Sequence, residues 1–208
     1  MARRRSLALP QLAMDLGPTR PPWRFSRLVL RSRHFERILE RLEFVRPFFP
    51  ELGALTIRVG LVLKPGILGW GSLDPDDPGV WVRPRRLDFF TLAHEFTHLL
   101  QARELVPRGE RACDLFALAR SALLVDHPPG YVKIPAPLRH LRRLEVEHGN
   151  LLHRAACRAV EARARGDRRY ICNFELDVAR CWSARASSPT VGVVPSSPGE
   201  TPPVASGA

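Results

Sequence analysis

The segment HEFTH at residues 94–98 matches the H-E-x-x-H pattern and lies inside a run with helical periodicity, residues 89–106. Apolar side chains recur at helical spacing through this run: Phe89, Leu92, Phe96 and Leu99. At 100° per residue, this stripe lies nearly opposite His94 and His98. The segment therefore predicts a helix that packs one face on a core and presents both histidines on the other.

Histidines four positions apart on a helix can bind one metal ion, and Glu95 lies beside them. Metal-assisted hydrolysis needs two neutral nitrogen ligands and a carboxylate that takes a proton from water. The motif predicts a Zn²⁺-dependent hydrolase, most specifically a peptidase acting on a protein or peptide substrate. The alternative is that both histidines are hydrogen-bonded core residues.

A catalytic zinc usually has three protein ligands, and Glu110 is the predicted third one. It begins a second predicted helix (110–124) twelve residues after His98. Asp114 lies one turn further on the same side, where it can accept a hydrogen bond from the second ring nitrogen of a ligand histidine. The alternative is an ordinary first-turn acid that favours the helix dipole.

The remaining patterns predict an α+β fold, with a small mixed sheet packed on the motif helix and further helices C-terminal to it. Helices are expected at 33–46, at 138–165 with a break near Gly149, and at 172–183. Strands are expected at 55–63 and 80–83, and residues 67–73 form a short strand or an open loop. If 80–83 is an edge strand, an extended peptide could pair with it.

We expect a basic, loosely ordered N-terminus (1–22), a single domain (23–185) and a disordered tail rich in Ser, Pro and Gly (186–208). Runs of about 18 apolar residues are absent, so no membrane span is predicted. Four cysteines without a C-x-x-C pair favour reduced thiols in the cytoplasm.

The net charge of +11 is unevenly distributed. Residues 51–138, which contain the motif, are neutral overall, whereas 1–46 carry +7 and 139–169 carry +5. Such flanks favour acidic partners, and DNA is one candidate. The alternative is compositional bias, because nearly all of the 32 basic residues are Arg, although bias toward Arg over Lys does not explain the shortage of acids.

The order of elements over residues 33–125 resembles the minimal core of zincin metallopeptidases. Glu110-x-x-x-Asp114 is similar to the second-helix motif of the gluzincin branch, in which Glu is the third zinc ligand and Asp supports a ligand His. Residues 110–117 (ERACDLFA) also resemble the E-x-x-A-[ND]-x-F-A segment of ImmA/IrrE-type metallopeptidases, with Cys113 in place of the Ala. Those are bacterial regulatory proteases that act on repressors.

Residues 57–101, which contain the motif, are also similar to the front half of SprT-like proteases, which degrade DNA-bound proteins. That resemblance implies a His as third ligand, with His148 or His127 as candidates. Tyr131 and His127 are further candidates for a hydrogen-bond donor to a developing oxyanion. A third hypothesis is a non-catalytic module in which any metal is structural.

Overall fold

The chain adopts an α+β fold, as the sequence predicts, in a computed structural model that describes residues 21–64, 66–130, 132 and 143–186, the last four without side chains. The described strands are β1 (Trp23–Phe25), β2 (Ile57–Leu61), β3 (Gly69–Gly71) and β4 (Gly79–Val82). The described helices are α1 (Arg27–Leu30), α2 (Phe35–Val45), α3 (Phe89–Ala102), α4 (Glu110–Leu118), α5 (Val146–Ala164) and α6 (Tyr170–Ala186).

The four strands form one mixed sheet in the order β1-β2-β4-β3. Strands β1, β2 and β4 are parallel, and β3 runs antiparallel to β4 with Trp70 opposite Trp81. The strand predicted at 80–83 is β4, which is an inner strand, and the short strand β3 lies beside it at the edge of the sheet. The outer side of β3 has no described partner strand.

One face of the sheet packs on α3 because apolar residues alternate along its strands. Val59, Val80 and Val82 are buried on that face, and Leu92 and Phe96 of α3 are buried too. The predicted apolar stripe of α3 is thus confirmed, except that Phe89 is only half-buried beside Phe44.

Two helices end earlier than predicted, each for a local reason. Helix α3 ends at Ala102, and two residues later Glu104 has a φ of 61°, a left-handed conformation that breaks the helix. Helix α4 ends at Leu118, and a separate 3-10 turn, Ala122–Leu124, follows, with the Ser121 side chain accepting from Leu123 N.

The C-terminal helices also differ from the prediction. The described part of α5 begins at Val146 and runs through Gly149 without a break. Gly149 is needed for packing, because a Cβ there would lie 2.7 Å from the carbonyl oxygen of Val125. Helix α6 is longer than expected and extends to Ala186.

The sequence analysis missed β1 and α1, two elements of three and four residues. Each element is too short to show a periodic pattern in the sequence. Pairing of β1 with β2 and burial of Trp23 and Val29 stabilise them. A single cluster of buried side chains extends from Trp23 to Trp182.

Residues 1–20, Tyr131 and the tail beyond Ala186 lie outside the described residues, so the predictions for them stay predictions. Among the helices described, none combines the length and apolar character that a membrane span requires.

Candidate metal centre

Helix α3 places the two motif histidines side by side at the sheet edge. Asp88 fixes the start of the helix, since its carboxylate accepts from Thr91 N at 2.6 Å. The rings of His94 and His98 are 4.6 Å apart between centroids and nearly perpendicular. Both side chains are mostly buried but keep one accessible edge.

Glu110, the first residue of α4, brings a carboxylate to this pair. Its Oε2 lies 3.3 Å from His94 Nε2 and 3.6 Å from His98 Nε2. The Glu110 side chain is 76% exposed, so it can move to meet a ligand. The three residues that the sequence predicts as ligands therefore converge, with two ring nitrogens and one carboxylate oxygen.

The other ring nitrogen of each histidine has a fixed partner. His94 Nδ1 lies 2.7 Å from Asp114 Oδ1, and His98 Nδ1 lies 2.8 Å from Gln101 Oε1. Because each acceptor holds a proton on Nδ1, the Nε2 lone pairs face Glu110 and are free to bind a metal. The sequence predicts the role of Asp114 but misses that of Gln101.

Gln101 also holds the linker between α3 and α4. Its Nε2 donates to the carbonyl oxygens of Pro107 at 2.6 Å and Gly109 at 3.0 Å. Gly109 has a φ of 108°, which favours glycine. These contacts turn a short linker so that Glu110 faces the histidines. The available sequence signal was spacing, since Gln101 lies three positions after His98 on one helix face.

The electrostatic environments of the two histidines differ. Burial tends to lower the pKa of His94, but the hydrogen bond and charge of Asp114 outweigh it and raise that pKa. Burial, followed by the charge of His94, lowers the pKa of His98. The environment therefore favours the neutral form of His98 more than that of His94, whose charged form Asp114 stabilises.

Glu95 is buried, with 5% of its surface exposed. Burial raises its pKa to about 7, against the opposing charge of His94 and with help from Glu110, while a backbone hydrogen bond from Gly71 lowers it. A carboxyl group with a pKa near neutrality suits proton transfer at neutral pH.

Two glycines bring the edge strand into direct contact with α3. A Cβ at Gly71 would lie 2.7 Å from the Glu95 carbonyl oxygen and 2.8 Å from His98 Cβ. A Cβ at Gly69 would collide with the Glu95 carboxylate. Strand β3 can therefore lie against the motif helix only because these two positions lack a side chain.

A cleft of about 720 Å³ adjoins the histidines and Glu110. Apolar side chains make up much of its wall, among them Leu61, Leu63, Ile67 and Trp70. Leu63 is 75% exposed and Trp70 is 59% exposed. The site therefore combines a polar centre with an accessible apolar wall, as is common in ligand sites.

Cys113 is a further ligand-type group near the histidines, and sequence analysis did not single it out. One potential ligand atom from each of His94, His98 and Cys113 lies within 4.8 Å of the others. However, the Cys113 thiol donates to the His94 carbonyl oxygen at 3.2 Å, and burial raises its pKa strongly. The thiol is thus already engaged with the backbone of α3, whereas Glu110 Oε2 lies 3.3 Å and 3.6 Å from the two Nε2 atoms, so Glu110 is the better third ligand.

The other candidate residues lie elsewhere. His148 Nδ1 is 3.7 Å from Glu145 Oε2 on α5, and no described contact joins it to the histidine pair. His127 Nδ1 contacts the Pro128 carbonyl oxygen and lines a different cavity. Tyr131 falls outside the described residues.

The residues present fit a catalytic zinc site. Two imidazole nitrogens with one carboxylate oxygen are a common donor set for zinc in hydrolases, with a position left for water. Both histidines already have hydrogen-bond partners on their other nitrogens, as metal-binding histidines usually do. Comparisons of the chain with protein-family models, with curated proteins and with solved structures return no match.

Proposed function

We propose that the chain is a zinc-dependent metallopeptidase of the gluzincin type, with His94, His98 and Glu110 as metal ligands. The observation that carries this proposal is the position of Glu110 Oε2, 3.3 Å and 3.6 Å from the two Nε2 atoms. The similarity of residues 110–117 to the ImmA/IrrE-type segment supports the same assignment. The cytoplasm remains the proposed location, and the cysteines, which form no disulfide, are compatible with it.

Glu95 is the proposed general base. Zinc, when bound, supplies Lewis-acid activation of water and polarisation of a carbonyl group near neutral pH. The Glu95 carboxylate accepts the proton of the attacking water and then donates it to the leaving amine. Gly71 orients this carboxylate through its backbone hydrogen bond. Asp114 and Gln101 keep the histidine rings in the orientation that presents Nε2.

The edge strand offers a binding mode for the substrate. An extended peptide can add to β3 through main-chain hydrogen bonds, because the outer side of β3 has no described partner strand. The close approach of Gly69 and Gly71 to α3 would hold that peptide near Glu95. The apolar wall of the cleft, with Leu63 and Trp70, suits an apolar side chain next to the bond that is cut.

The two alternatives have less support. An SprT-like site needs a third histidine at the pair, but no described contact joins His148 or His127 to His94 and His98. A structural zinc site does not require a buried carboxyl group beside the metal. Glu95 is such a group, since it is 5% exposed and lies beside the two histidines. The DNA-associated hypothesis therefore depends on the basic flanks alone.

Zinc content per chain tests the ligand set. We expect about one zinc in the wild-type protein, a loss of zinc in Glu110→Ala, and wild-type zinc content in His148→Ala. The measurement is elemental analysis of the three purified proteins, with far-UV circular dichroism to show that each is folded. Loss of zinc with His148→Ala alone would transfer the assignment to the SprT-like class.

The role of Glu95 is tested by Glu95→Gln. This variant should keep zinc and fold while peptide hydrolysis falls by at least about a hundredfold, because the proton acceptor is lost. The assay is cleavage of a mixed peptide library, read by mass spectrometry. Glu36→Gln is the matched control, since Glu36 is an exposed acid on α2, and it should cleave like wild type. Full activity in Glu95→Gln would refute the mechanism.

A further inference from the structure

A second cavity, of about 550 Å³, lies at the N-terminal end of α3 and is lined by basic side chains. Arg37 comes from α2, Arg85 and Arg86 follow β4, and Arg143 precedes α5. His127 lies in the same wall. Elements distant in sequence thus bring four guanidinium groups to one concave site.

These arginines are not neutralised by the described residues. Among the ion pairs of the described ranges, none involves Arg37, Arg85, Arg86 or Arg143. An uncompensated cluster of this kind in a concave site attracts anions.

The two acidic residues that line the cavity, Asp88 and Asp126, accept hydrogen bonds from backbone N–H groups of α3. Asp88 accepts from Thr91 N, and the two oxygens of Asp126 accept from Phe89 N and Phe90 N at 3.0 Å each. Both carboxylates are therefore engaged with the backbone at the start of α3 and keep their charge, and the four arginines outnumber them by two.

Arg41, a neighbouring arginine, is also affected by the charges around this cavity. The Arg41 guanidinium lies over the ring of Phe89, 4.5 Å from its centroid. Its Nη1 is buried and has no hydrogen-bond partner in the described part of the chain. Burial and then the charges of Arg37 and Arg143 lower its pKa, and they outweigh the opposing charges of Asp126 and Asp88.

The cavity lies along the path proposed for the substrate. Leu68 lines it, while the next residue, Gly69, lines the cleft beside the histidines. Asp88 and His94 are six residues apart on α3, which corresponds to about 9 Å along the helix axis. An extended peptide covers that distance in about three residues.

We propose that this cavity is a subsite for an acidic side chain of the substrate, about three or four residues from the bond that is cut. The inference rests on the proposed peptidase function and adds the class of substrate: peptides with a carboxylate or phosphate at that distance. Arg side chains bind both groups through paired hydrogen bonds. A nucleic acid fits less well, since none of the described residues that line the cavity is a Phe, Tyr or Trp on which bases could stack.

Binding of short labelled peptides to the zinc-loaded wild-type protein provides the test. The probes are a fluorescein-labelled peptide with an apolar centre flanked by glutamates, the same peptide with glutamines, and one with phosphoserines. We expect the glutamate and phosphoserine peptides to bind about tenfold more tightly than the glutamine peptide at low salt, and less so at high salt. Fluorescence anisotropy measures each affinity.

Two matched double variants locate the effect. Arg85→Gln with Arg86→Gln should abolish the preference for acidic peptides, because both side chains are exposed in the cavity wall. Arg168→Gln with Arg169→Gln removes the same charge from an exposed pair that lines no described pocket, and it should keep the preference. A thermal melt checks that both variants are folded.

Equal affinity for the glutamate and glutamine peptides would overturn the inference. An equal loss of the preference for acidic peptides in the two double variants would overturn it as well. Stronger competition by a DNA duplex than by the acidic peptide would assign the cavity to nucleic acid instead. Failure of the proposed function gives a different result: selective binding would persist, while none of the peptides is hydrolysed.

Discussion

At the scale of single residues, the candidate site depends on partners that hold the histidine rings. Asp114 and Gln101 accept from the two Nδ1 atoms, and both are nearly buried. Such partners tune metal affinity as well as ring orientation. Asp114 could be predicted because it lies one helical turn from Glu110. The contact of Gln101 with His98 spans three positions of one helix and could be predicted too, but its second role, on the carbonyls of Pro107 and Gly109, exists only once the linker is folded.

The residue-scale prediction concerns Gln101→Met. This change keeps the volume and removes all three hydrogen bonds, so zinc affinity should fall by about ten- to a hundredfold. Competition with a chelator dye measures the affinity. Arg103→Met, an exposed position at the end of the same helix, is the control and should match wild type. Wild-type affinity in Gln101→Met would show that His98 needs no such partner.

At the scale of elements, the site depends on contact between a short edge strand and a long helix. Strand β3 has three residues, too few for a stable strand by themselves. Its two glycines allow the backbone to approach Glu95 and His98, and Trp70 stacks on Trp81 of β4 with 4.9 Å between centroids. The Gly-Trp-Gly pattern is therefore a packing requirement.

The element-scale prediction is that Gly71→Ala destabilises the protein by about 1–3 kcal/mol, because the strand must move away from α3 to make room for the methyl group. Urea unfolding measures the free energy. Gly130→Ala is the control, since a Cβ at Gly130 has no neighbour within 4 Å, and it should change stability by less than about 0.5 kcal/mol. Equal effects of the two substitutions would contradict close packing at β3.

At the scale of the whole molecule, the buried side chains form one continuous cluster. It includes Trp23 of β1, Phe96 of α3, and Phe174 and Trp182 of α6. The helices that follow the candidate site thus share a core with the sheet. We therefore predict that residues 23–185 unfold as one cooperative unit, as small single domains usually do.

Phe174→Ala tests that prediction. Phe174 is 1% exposed, so the cavity left behind should destabilise the protein by about 3–5 kcal/mol. Tryptophan fluorescence and far-UV circular dichroism should still report one coincident urea transition. Leu176→Ala, at a half-exposed position on the same helix, should have a much smaller effect. Two separate transitions would instead show that α5 and α6 form a unit of their own.

Local spacing in the sequence is enough to predict several elements and most of the candidate site. Periodicity, or an interval within one or two helical turns, predicts the helix around HEFTH, helix α2, strands β2 and β4 and the grouping of His94, Glu95 and His98. Glu110 is predicted from its position at the start of the next helix. Side-chain period and helix geometry are properties of the chain over a few residues. They can therefore be read without knowledge of what the segment packs against.

Contacts between elements, in turn, place β3 at the edge of the sheet beside β4 and bring Gln101 and Gly71 into positions that support the site. They also gather Arg37, Arg85 and Arg143 around one cavity. Each of these features joins residues distant in sequence, or depends on whether a backbone can approach a neighbouring element. Such contacts produce no periodic pattern in the local sequence, because the residues that stabilise them come together only in the folded chain.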